Sequence, residues 1–181
     1  MTNTNRYRYY TATTLDGFLA DEHDSLAWLF KQDIDVDGPG SADALIADVG
    51  AQVMGATTYR WVLENHPDWL PQMPTFVFTH RGLKPANEHV IFLAGEPTDH
   101  RAAIEEAAGE KDVWMMGGGN LAGSFASAGM LDEIKVSIAP VMLGSGRPLF
   151  DGAFDLSLRN CERNRDFLTA TFDVVGPLGS R

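Results

Sequence analysis

Basic side chains, cysteines and long apolar runs are scarce in this chain of 181 residues. Lysine and arginine number 14 against 25 aspartates and glutamates, and the formal net charge of −11 argues against nucleic acid or an anionic membrane as a partner. Cys161 is the only cysteine, which excludes an internal disulfide framework and suits a reducing compartment. No apolar run reaches membrane-spanning length, and the N-terminus lacks a signal-like segment. We therefore expect a cytoplasmic protein that binds neither nucleic acid nor membrane.

Metal-binding and hydrolytic signatures are missing as well. The five histidines have no metal-type spacing and no thiolate partner nearby, so zinc is not expected. The segment DIDVDGPG matches the first half of a calcium loop, but Ala44 stands where a bidentate glutamate is required. The chain contains neither a G-x-S-x-G elbow nor a Walker loop. We therefore predict no metal site and interpret DIDVDGPG as a solvated acidic loop.

The patterns that are present indicate an α/β protein. The length allows one domain over residues 1–181, with a full core that needs no metal or disulfide support. Strands are predicted at residues 7–14, 52–54, 74–81, 89–92, 113–116 and 134–138, and a closing hairpin at 156–163 and 167–174. Helices are predicted at 25–31 with Asp24 as the cap, after Ser41, from Thr57 or Thr58 to His66, at 99–108, and from Asn120 to Gly129.

The most specific local pattern lies between Asp112 and Ile138. A buried strand is followed by three glycines and then by a helix that Asn120 is expected to cap. This order points free amides and the positive end of a helix dipole at whatever lies above the glycines, and the usual guest is a phosphate. The alternative is a tight turn without a ligand. A Rossmann turn is excluded because the motif comes late and the region about 20 residues on, Ser137–Ala139, lacks the acid.

Polar residues follow two other predicted strands. Gly55, Ala56, Thr57 and Thr58 repeat the order of strand, turn and helix, and give a second helix start rich in amides. Thr79, His80 and Arg81 end a further strand, and ligands in open α/β sheets bind at the carboxyl ends of strands. Arg81 is equally compatible with a solvated surface cation. Together with the glycine run, these clusters predict phosphate and amide sites of dinucleotide size.

Two carboxylates are candidates for a role beside a reacting group. Asp16 belongs to the turn Leu15-Asp16-Gly17-Phe18, and Asp-Gly is also an ordinary turn pair. Asp43 lies in the first turn of a predicted helix, where a carboxylate also suits the dipole. The loop from Gly144 to Arg147 either closes over a ligand or crosses the surface.

Four segments, TTLDGFLAD, VMGATTY, FVFTHR and DVWMMGGGNLAGSFASAGMLDEIKVSIAPVMLGSGRPLF, together resemble the dihydrofolate reductase-like superfamily. Within it the chain is most similar to stand-alone relatives of the reductase domain of the bifunctional riboflavin-biosynthesis deaminase/reductase. The similarity covers nearly the whole chain. It implies a three-layer α/β/α fold with a mixed, mainly parallel sheet and a C-terminal antiparallel hairpin, and it implies a homodimer.

The resemblance also implies an NADPH molecule laid across the carboxyl ends of the strands. The pyrophosphate would be held by Gly55, Ala56, Thr57 and Thr58, and the adenosine 2′-phosphate by Thr79, His80 and Arg81. The pyrophosphate and nicotinamide would meet Gly117, Gly118, Gly119, Asn120 and Leu121, with a cis Gly117–Gly118 bond, and the nicotinamide would be flanked by Ala12 and Leu19. Because Ala56 stands where many dihydrofolate reductases have a basic residue, the preference for NADPH depends on Arg81, and NADH remains an alternative.

The implied activity is hydride transfer to a small heterocyclic or carbonyl substrate, as in 5-amino-6-(5-phosphoribosylamino)uracil reductase or dihydrofolate reductase. Asp16 and Asp43 are the candidate catalytic residues, since a carboxylate can orient or protonate a C=N or C=O group. The candidate substrate-binding residues are Asp16, Gly17, Phe18 and Trp28. The basic cluster that a ribosyl phosphate requires is not visible, because Arg60 and Arg147 are isolated in the sequence. The alternatives are a non-catalytic protein that holds a planar ligand, and a structural oligomer.

Overall fold

The computed structural model describes residues 5–70 and 72–179, which contain an eight-stranded sheet with helices on both faces. The ten strands are β1 (Tyr7–Thr14), β2 (Phe18–Ala20), β3 (Val49–Gly55), β4 (Thr75–Phe78), β5 (Val90–Leu93), β6 (Asp112–Gly117), β7 (Glu133–Ala139), β8 (Arg147–Pro148), β9 (Phe154–Asn164) and β10 (Phe167–Pro177). The five α-helices are α1 (Ala27–Phe30), α2 (Ala42–Ile46), α3 (Ala56–Asn65), α4 (Arg101–Ala108) and α5 (Gly119–Ser127). Two 3-10 turns, Pro67–Trp69 and Pro97–His100, follow α3 and precede α4.

The sheet is mainly parallel, as the resemblance implies. Its order is β5-β4-β3-β6-β1-β7-β10-β9, and every neighbouring pair from β5 to β7 is parallel. The last two strands form an antiparallel hairpin on β7. A separate two-stranded sheet joins β2 to β8. The expected α/β/α fold is therefore confirmed, while the small β2–β8 sheet was not predicted.

The two faces of the large sheet pack differently. On the side of α4 and α5, one continuous core surrounds Tyr9, Ile104 and Phe125. On the side of α1, α2 and α3, three smaller clusters are centred on Trp28, Leu45 and Tyr59. Strand alternation produces this division, because successive side chains point to opposite faces. Each of the three clusters contributes to the lining of the main cavity, through Leu29, Ile46 and Trp61.

Three of the four expected helix caps are wrong. Gly118 and Gly55, both in extended conformation, occupy the N-cap positions of α5 and α3, so Asn120, Thr57 and Thr58 lie inside the first turns. Asp24 does not cap α1, which begins at Ala27; its carboxylate pairs with Arg147 instead. In each case the backbone enters the helix one to three residues away from the polar side chain. The fourth prediction is confirmed, since the Ser41 hydroxyl accepts a hydrogen bond from the amide of Ala44.

Candidate functional site

A single large cleft runs along the carboxyl edge of the parallel strands. Its volume is about 1470 Å³, larger than the roughly 300–1,000 Å³ of a site for one small ligand. Four consecutive strands of the sheet, β5, β4, β3 and β6, each lead directly into the wall of this cleft. The cleft therefore has room for an extended ligand and a second molecule beside it.

Most of the site residues predicted from the sequence lie together in this cleft. They are Ala12, Leu19, Asp43, Gly55, Ala56, Thr57, Thr58, Thr79, His80, Arg81, Gly117, Gly118, Gly119, Asn120 and Leu121. The residues that lie outside the cleft lining are Asp16, Gly17, Phe18 and Trp28. The structure therefore brings together all the proposed cofactor-binding positions but only one of the two proposed catalytic carboxylates.

The two glycine turns after β3 and β6 lie side by side. Met54 and Gly117 are register partners across these strands, and a Cβ added at Gly117 would lie 3.6 Å from the Thr58 hydroxyl oxygen. The helices that follow, α3 and α5, both begin at the cleft. Because the first amides of a helix have no acceptor within it, two sets of donors and two positive dipole ends meet here.

Two of these glycines have open space where a side chain would lie. Gly55 has φ −85° and Gly118 has φ −92°, values that any residue adopts. A Cβ added at Gly55 would meet nothing closer than 3.9 Å, and one added at Gly118 nothing closer than 4.0 Å. The space that their missing side chains leave is therefore available to a ligand that approaches the backbone. This observation fits a bound diphosphate at the adjacent turns.

Gly117 and Gly119, in contrast, are required by the fold itself. Gly117 has φ +144° and precedes the cis Gly117–Gly118 peptide bond, which the resemblance implied. A Cβ at Gly119 would lie 2.4 Å from the carbonyl oxygen of Pro148, so this glycine allows α5 to pack against the chain. Gly123, one turn later, meets the carbonyl oxygen of Asp151 in the same way. The three-glycine run therefore combines a conformational, a ligand-facing and a packing position.

The segment 141–151, which we call the strap, joins the turn after β1 to the start of α5. The Leu149 amide donates to the carbonyl of Gly17 at 2.8 Å, and the Asp151 amide to the carbonyl of Gly119 at 3.2 Å. The strap also contains β8, which pairs with β2, and its Arg147 and Pro148 line the cleft. Within the loop from Gly144 to Arg147, Gly144 and Ser145 are exposed and Arg147 lines the cleft, so both interpretations, closure over a ligand and a surface crossing, stay predictions.

Asp16 anchors the strap. Its carboxylate accepts hydrogen bonds from the Thr14 hydroxyl at 2.6 Å, the Gly144 amide at 2.7 Å and the Leu143 amide at 3.2 Å. These bonds, led by that from Thr14, hold the pKa of Asp16 below its ordinary value. An ionised carboxylate turned toward the strap is a positioning group, and its geometry does not favour the proton-donor role considered from the sequence.

The other candidate residues differ in their surroundings. Trp28 is 5% exposed and packs with Ala139 and Phe167, and its indole nitrogen has no hydrogen-bond partner among the described residues. Asp43 is exposed on the first turn of α2 and lines the cleft. Of the candidate acids, Asp43 is therefore the one placed to reach a ligand in the cleft.

Sequence reasoning missed several residues of the cleft. Ala94, Gly95 and Glu96 follow β5 and continue the row of strand ends, so their position after a strand could have indicated them. Trp61 and Trp69 form an aromatic wall after the start of α3. No local signal marks these tryptophans, because their role depends on how α1 packs against α3.

The cations of the cleft are unevenly engaged. Arg147 holds Asp24 through two hydrogen bonds, of 2.6 and 3.2 Å, so its charge is already neutralised. Arg81 and Arg60 are exposed and make no ion pair with any residue of the described ranges. Arg81 is therefore free to meet an anion at the end of the cleft formed after β4.

Neither a metal centre nor a membrane span is found in residues 5–70 and 72–179. No group of three or more histidine, cysteine, aspartate or glutamate side chains there is arranged to hold a metal ion. Within the same ranges, no helix combines the length and apolarity needed to cross a bilayer.

Comparisons with known proteins identify the family. The model of the RibD C-terminal domain family matches residues 8–166. YwjB, a protein of Bacillus subtilis, is 31% identical over 142 residues, which cover 78% of this chain and 80% of YwjB. A solved structure from Shewanella sp. PV-4, whose name connects it with riboflavin biosynthesis, superposes with a TM-score of 0.81 at 27% identity and covers 93% of this chain and 98% of its own.

More distant structures share the fold. A Thermotoga maritima protein, named as a diaminohydroxyphosphoribosylaminopyrimidine deaminase/5-amino-6-(5-phosphoribosylamino)uracil reductase, has a TM-score of 0.65 at 16% identity and covers 94% of this chain and 56% of its own. Dihydrofolate reductase from Enterococcus faecalis, solved with NADP(H), has a TM-score of 0.60 at 12% identity and covers 94% of this chain and 96% of its own. The resemblance inferred from the sequence motifs is confirmed.

Proposed function

The chain belongs to the RibD C-terminal domain family, and from this premise we propose that it is an NAD(P)H-dependent reductase that transfers a hydride to a small heterocyclic or carbonyl substrate. The observation that carries the proposal is the row of four strand ends along one cleft, with two helix starts and two glycines that the fold itself does not require. The names of the Thermotoga and Enterococcus proteins, a reductase and a complex with NADP(H), give the same direction.

The proposed cofactor would lie across β4, β3 and β6. The amides at the starts of α3 and α5 would bind its diphosphate, since both the unpaired donors and the helix dipoles favour an anion there. Thr79, His80 and Arg81 would hold the adenosine end, with Arg81 supplying the charge that a 2′-phosphate needs. The space beside Ala12 and Leu19 would receive the nicotinamide.

The reaction needs alignment more than acid–base groups. A reduced nicotinamide, when bound, supplies one hydride to the carbon of a C=O or C=N bond, while the heteroatom gains a proton and the oxidised cofactor leaves. The chain would contribute part of the cleft wall, through Arg147 and Pro148 of the strap, and would keep the reacting atoms in contact. The cleft is open to solvent, which can supply the proton. Of the two candidate carboxylates, Asp43 lines the cleft and would act as the proton relay.

Calorimetry tests the cofactor assignment directly. Purified protein titrated with NADPH and then with NADH should show saturable binding, with NADPH the tighter ligand. Absence of binding by both reduced cofactors at millimolar concentration would contradict the proposal. Binding without any substrate-dependent loss of absorbance by the reduced cofactor, across a panel of carbonyl and heterocyclic compounds, would favour a ligand-holding protein instead.

A further inference from the structure

We infer, on the basis of the proposed function, that the substrate is a flat aromatic or heteroaromatic compound that carries neither a phosphate nor any other anionic group. The inference concerns the part of the cleft that the cofactor would leave free. We call this part the inner bay; its side chains are Leu29, Ile46, Trp61, Trp69, Asp43 and Asp68.

The inner bay is the gap between three separate hydrophobic clusters. Leu29 belongs to the cluster of Trp28, Ile46 to the cluster of Leu45, and Trp61 to the cluster of Tyr59. The rings of Tyr10 and Trp114, on the neighbouring strands β1 and β6, also border this gap. Apolar walls on several sides favour a ligand that buries apolar surface against them.

Trp61 and Trp69, the aromatic wall of the bay, pack against other rings. His66 stacks on Trp69 with ring centroids 4.1 Å apart, and Trp61 lies 5.9 Å from Trp69. Phe30, from the end of α1, packs on both tryptophans at 6.4 and 6.2 Å, so it joins α1 to the turn after α3. Trp69 remains 40% exposed although it is packed in this cluster. A ring that packs against three aromatic neighbours and is still partly uncovered suits stacked or edge contact with a flat ligand.

The charges of the bay disfavour an anion. Asp43 and Asp68 line it, and Arg60, which is exposed and makes no ion pair with any described residue, lines the same cleft. Arg147 is occupied by Asp24. Arg81 follows β4, at the end of the cleft where the adenosine of the proposed cofactor would lie. A phosphate is usually held by clustered arginines and amides, and the six side chains that define the inner bay include two carboxylates and no arginine.

The charges of the inner bay do not suit the phosphorylated substrate that the name of the Thermotoga protein gives. That name includes a phosphoribosylamino group, and such a substrate needs a second anion site in addition to the one for the cofactor. The described cleft places its free donors at the cofactor end. The inner bay therefore selects for an apolar ring and against a sugar phosphate.

Three probes test the inference by calorimetry, each with cofactor-free protein and with protein saturated with NADP⁺. 2-Acetylnaphthalene is flat and uncharged, 6-acetyl-2-naphthoate adds one carboxylate to the same rings, and uridine 5′-monophosphate is a heterocycle with a ribosyl phosphate. We expect the neutral ketone to bind and the naphthoate to bind at least about tenfold more weakly, because carboxylates line the bay. Uridine 5′-monophosphate should not compete with the ketone.

Two variants locate the probe in the bay. Trp69→Ala should weaken the ketone roughly fivefold, whereas Ile91→Ala, an exposed change on β5 outside the cleft lining, should leave its affinity unchanged. Asp43→Asn should strengthen the naphthoate about threefold, as expected for the loss of one exposed charge, and should change the affinity for the uncharged ketone less than this.

The inference is overturned if the ketone does not bind, if the naphthoate binds as tightly as the ketone does, or if the nucleotide displaces the ketone. These results are independent of the cofactor assignment, because the cofactor-free protein is titrated separately. Ketone binding without any binding of NADPH or NADH would refute the proposed reductase and leave the specificity of the bay standing.

Discussion

The two edges of the parallel sheet handle charge in opposite ways. At the amino ends of β1, β6 and β7, the Glu133 carboxylate lies among three arginines, with Nε of Arg8 at 3.0 Å and Nη2 of Arg6 at 3.1 Å. Arg159 pairs with Glu133 and with Asp173. At the carboxyl ends, Arg81 has no ion pair with any described residue and two helices begin at open glycine turns. Paired charges stabilise the first edge, while the second keeps its donors free for a ligand.

Glu133 shows how complete the pairing is. Its side chain is only 3% exposed, and this burial opposes ionisation. The guanidinium groups of Arg8, Arg159 and Arg6 outweigh the burial and lower the pKa of Glu133 below its ordinary value. The difference between the edges predicts that substitutions at one edge change stability and that substitutions at the other change binding.

The largest expected effect is that of Glu133→Gln on stability. The change leaves three partly exposed arginines without their shared carboxylate, and we expect a loss of about 2 kcal/mol in the free energy of unfolding, less than for a pair in which both partners are buried. Urea denaturation measures it, with the exposed Glu162→Gln as control. A large loss of NADPH affinity in the Glu133 variant would contradict the assignment of stability to one edge of the sheet and of binding to the other.

The same carboxylate should give the stability a pH dependence. Because the pKa of Glu133 is lower in the folded protein, its contribution is fully present above its unfolded value, near 4.5, and is lost as the pH falls through the folded value. Urea denaturation from pH 7 down to pH 3 should therefore give a shallower decline for Glu133→Gln than for the unchanged protein. Parallel curves would contradict this assignment.

Adjacent glycines at the cleft edge provide the next test. Gly118→Ala places a methyl group in the space assigned to the diphosphate, so we expect NADPH binding to weaken about thirtyfold with little change in stability. Gly119→Ala should instead lower stability by about 1–3 kcal/mol, because its methyl group meets the carbonyl of Pro148. Calorimetry and urea denaturation of both proteins distinguish the roles, and identical behaviour would refute them.

Arg81→Ala tests which cofactor the cleft edge selects. Loss of this free cation should weaken NADPH about tenfold, since a charged hydrogen bond to the 2′-phosphate disappears. NADH, which lacks that phosphate, should be almost unaffected. Calorimetry with both cofactors measures the difference, and Arg163→Ala, on β9 far along the sheet, is the control. Equal weakening of both cofactors would remove the 2′-phosphate assignment.

The smallest effect is expected from Asp16→Asn. Loss of the charge weakens the hydrogen bonds from Leu143 and Gly144, so amide hydrogen exchange at these two residues should quicken roughly fivefold. NADPH affinity should change less than this exchange, because the carboxylate lies outside the cleft lining. The exposed Asp37→Asn is a matched control. Unchanged exchange in the Asp16 variant would show that the strap does not depend on this carboxylate.

The order of strands and helices could be predicted from the sequence because each long element carries its own periodicity. The closing hairpin, Phe154–Asn164 and Phe167–Pro177, extends the predicted strands by only a few residues. The pairing of β2 with β8 could not be predicted, since it joins two and three residues that lie far apart in the chain. Short elements of this kind exist only through their tertiary partners.

The sequence indicated which residues lie at the candidate site better than it indicated what each of them does there. Strand ends and glycines marked the cofactor end, and these residues do lie in one cleft. The sequence could not separate Gly118 from Gly119, because their difference depends on Pro148, which lies 29 positions after Gly119. Asp16 was recognised as a turn residue, but its amide partners are 127 and 128 positions away.

The three hydrophobic clusters around the inner bay are separate, so this face of the sheet lacks the continuous core that covers the other face. A molecule bound in the inner bay would supply apolar contacts of the kind that the chain itself supplies on the other face. Such a molecule raises the melting temperature in proportion to the logarithm of its concentration over its dissociation constant. Thermal denaturation in the presence of a compound collection would therefore rank candidate substrates by how much each one raises the melting temperature.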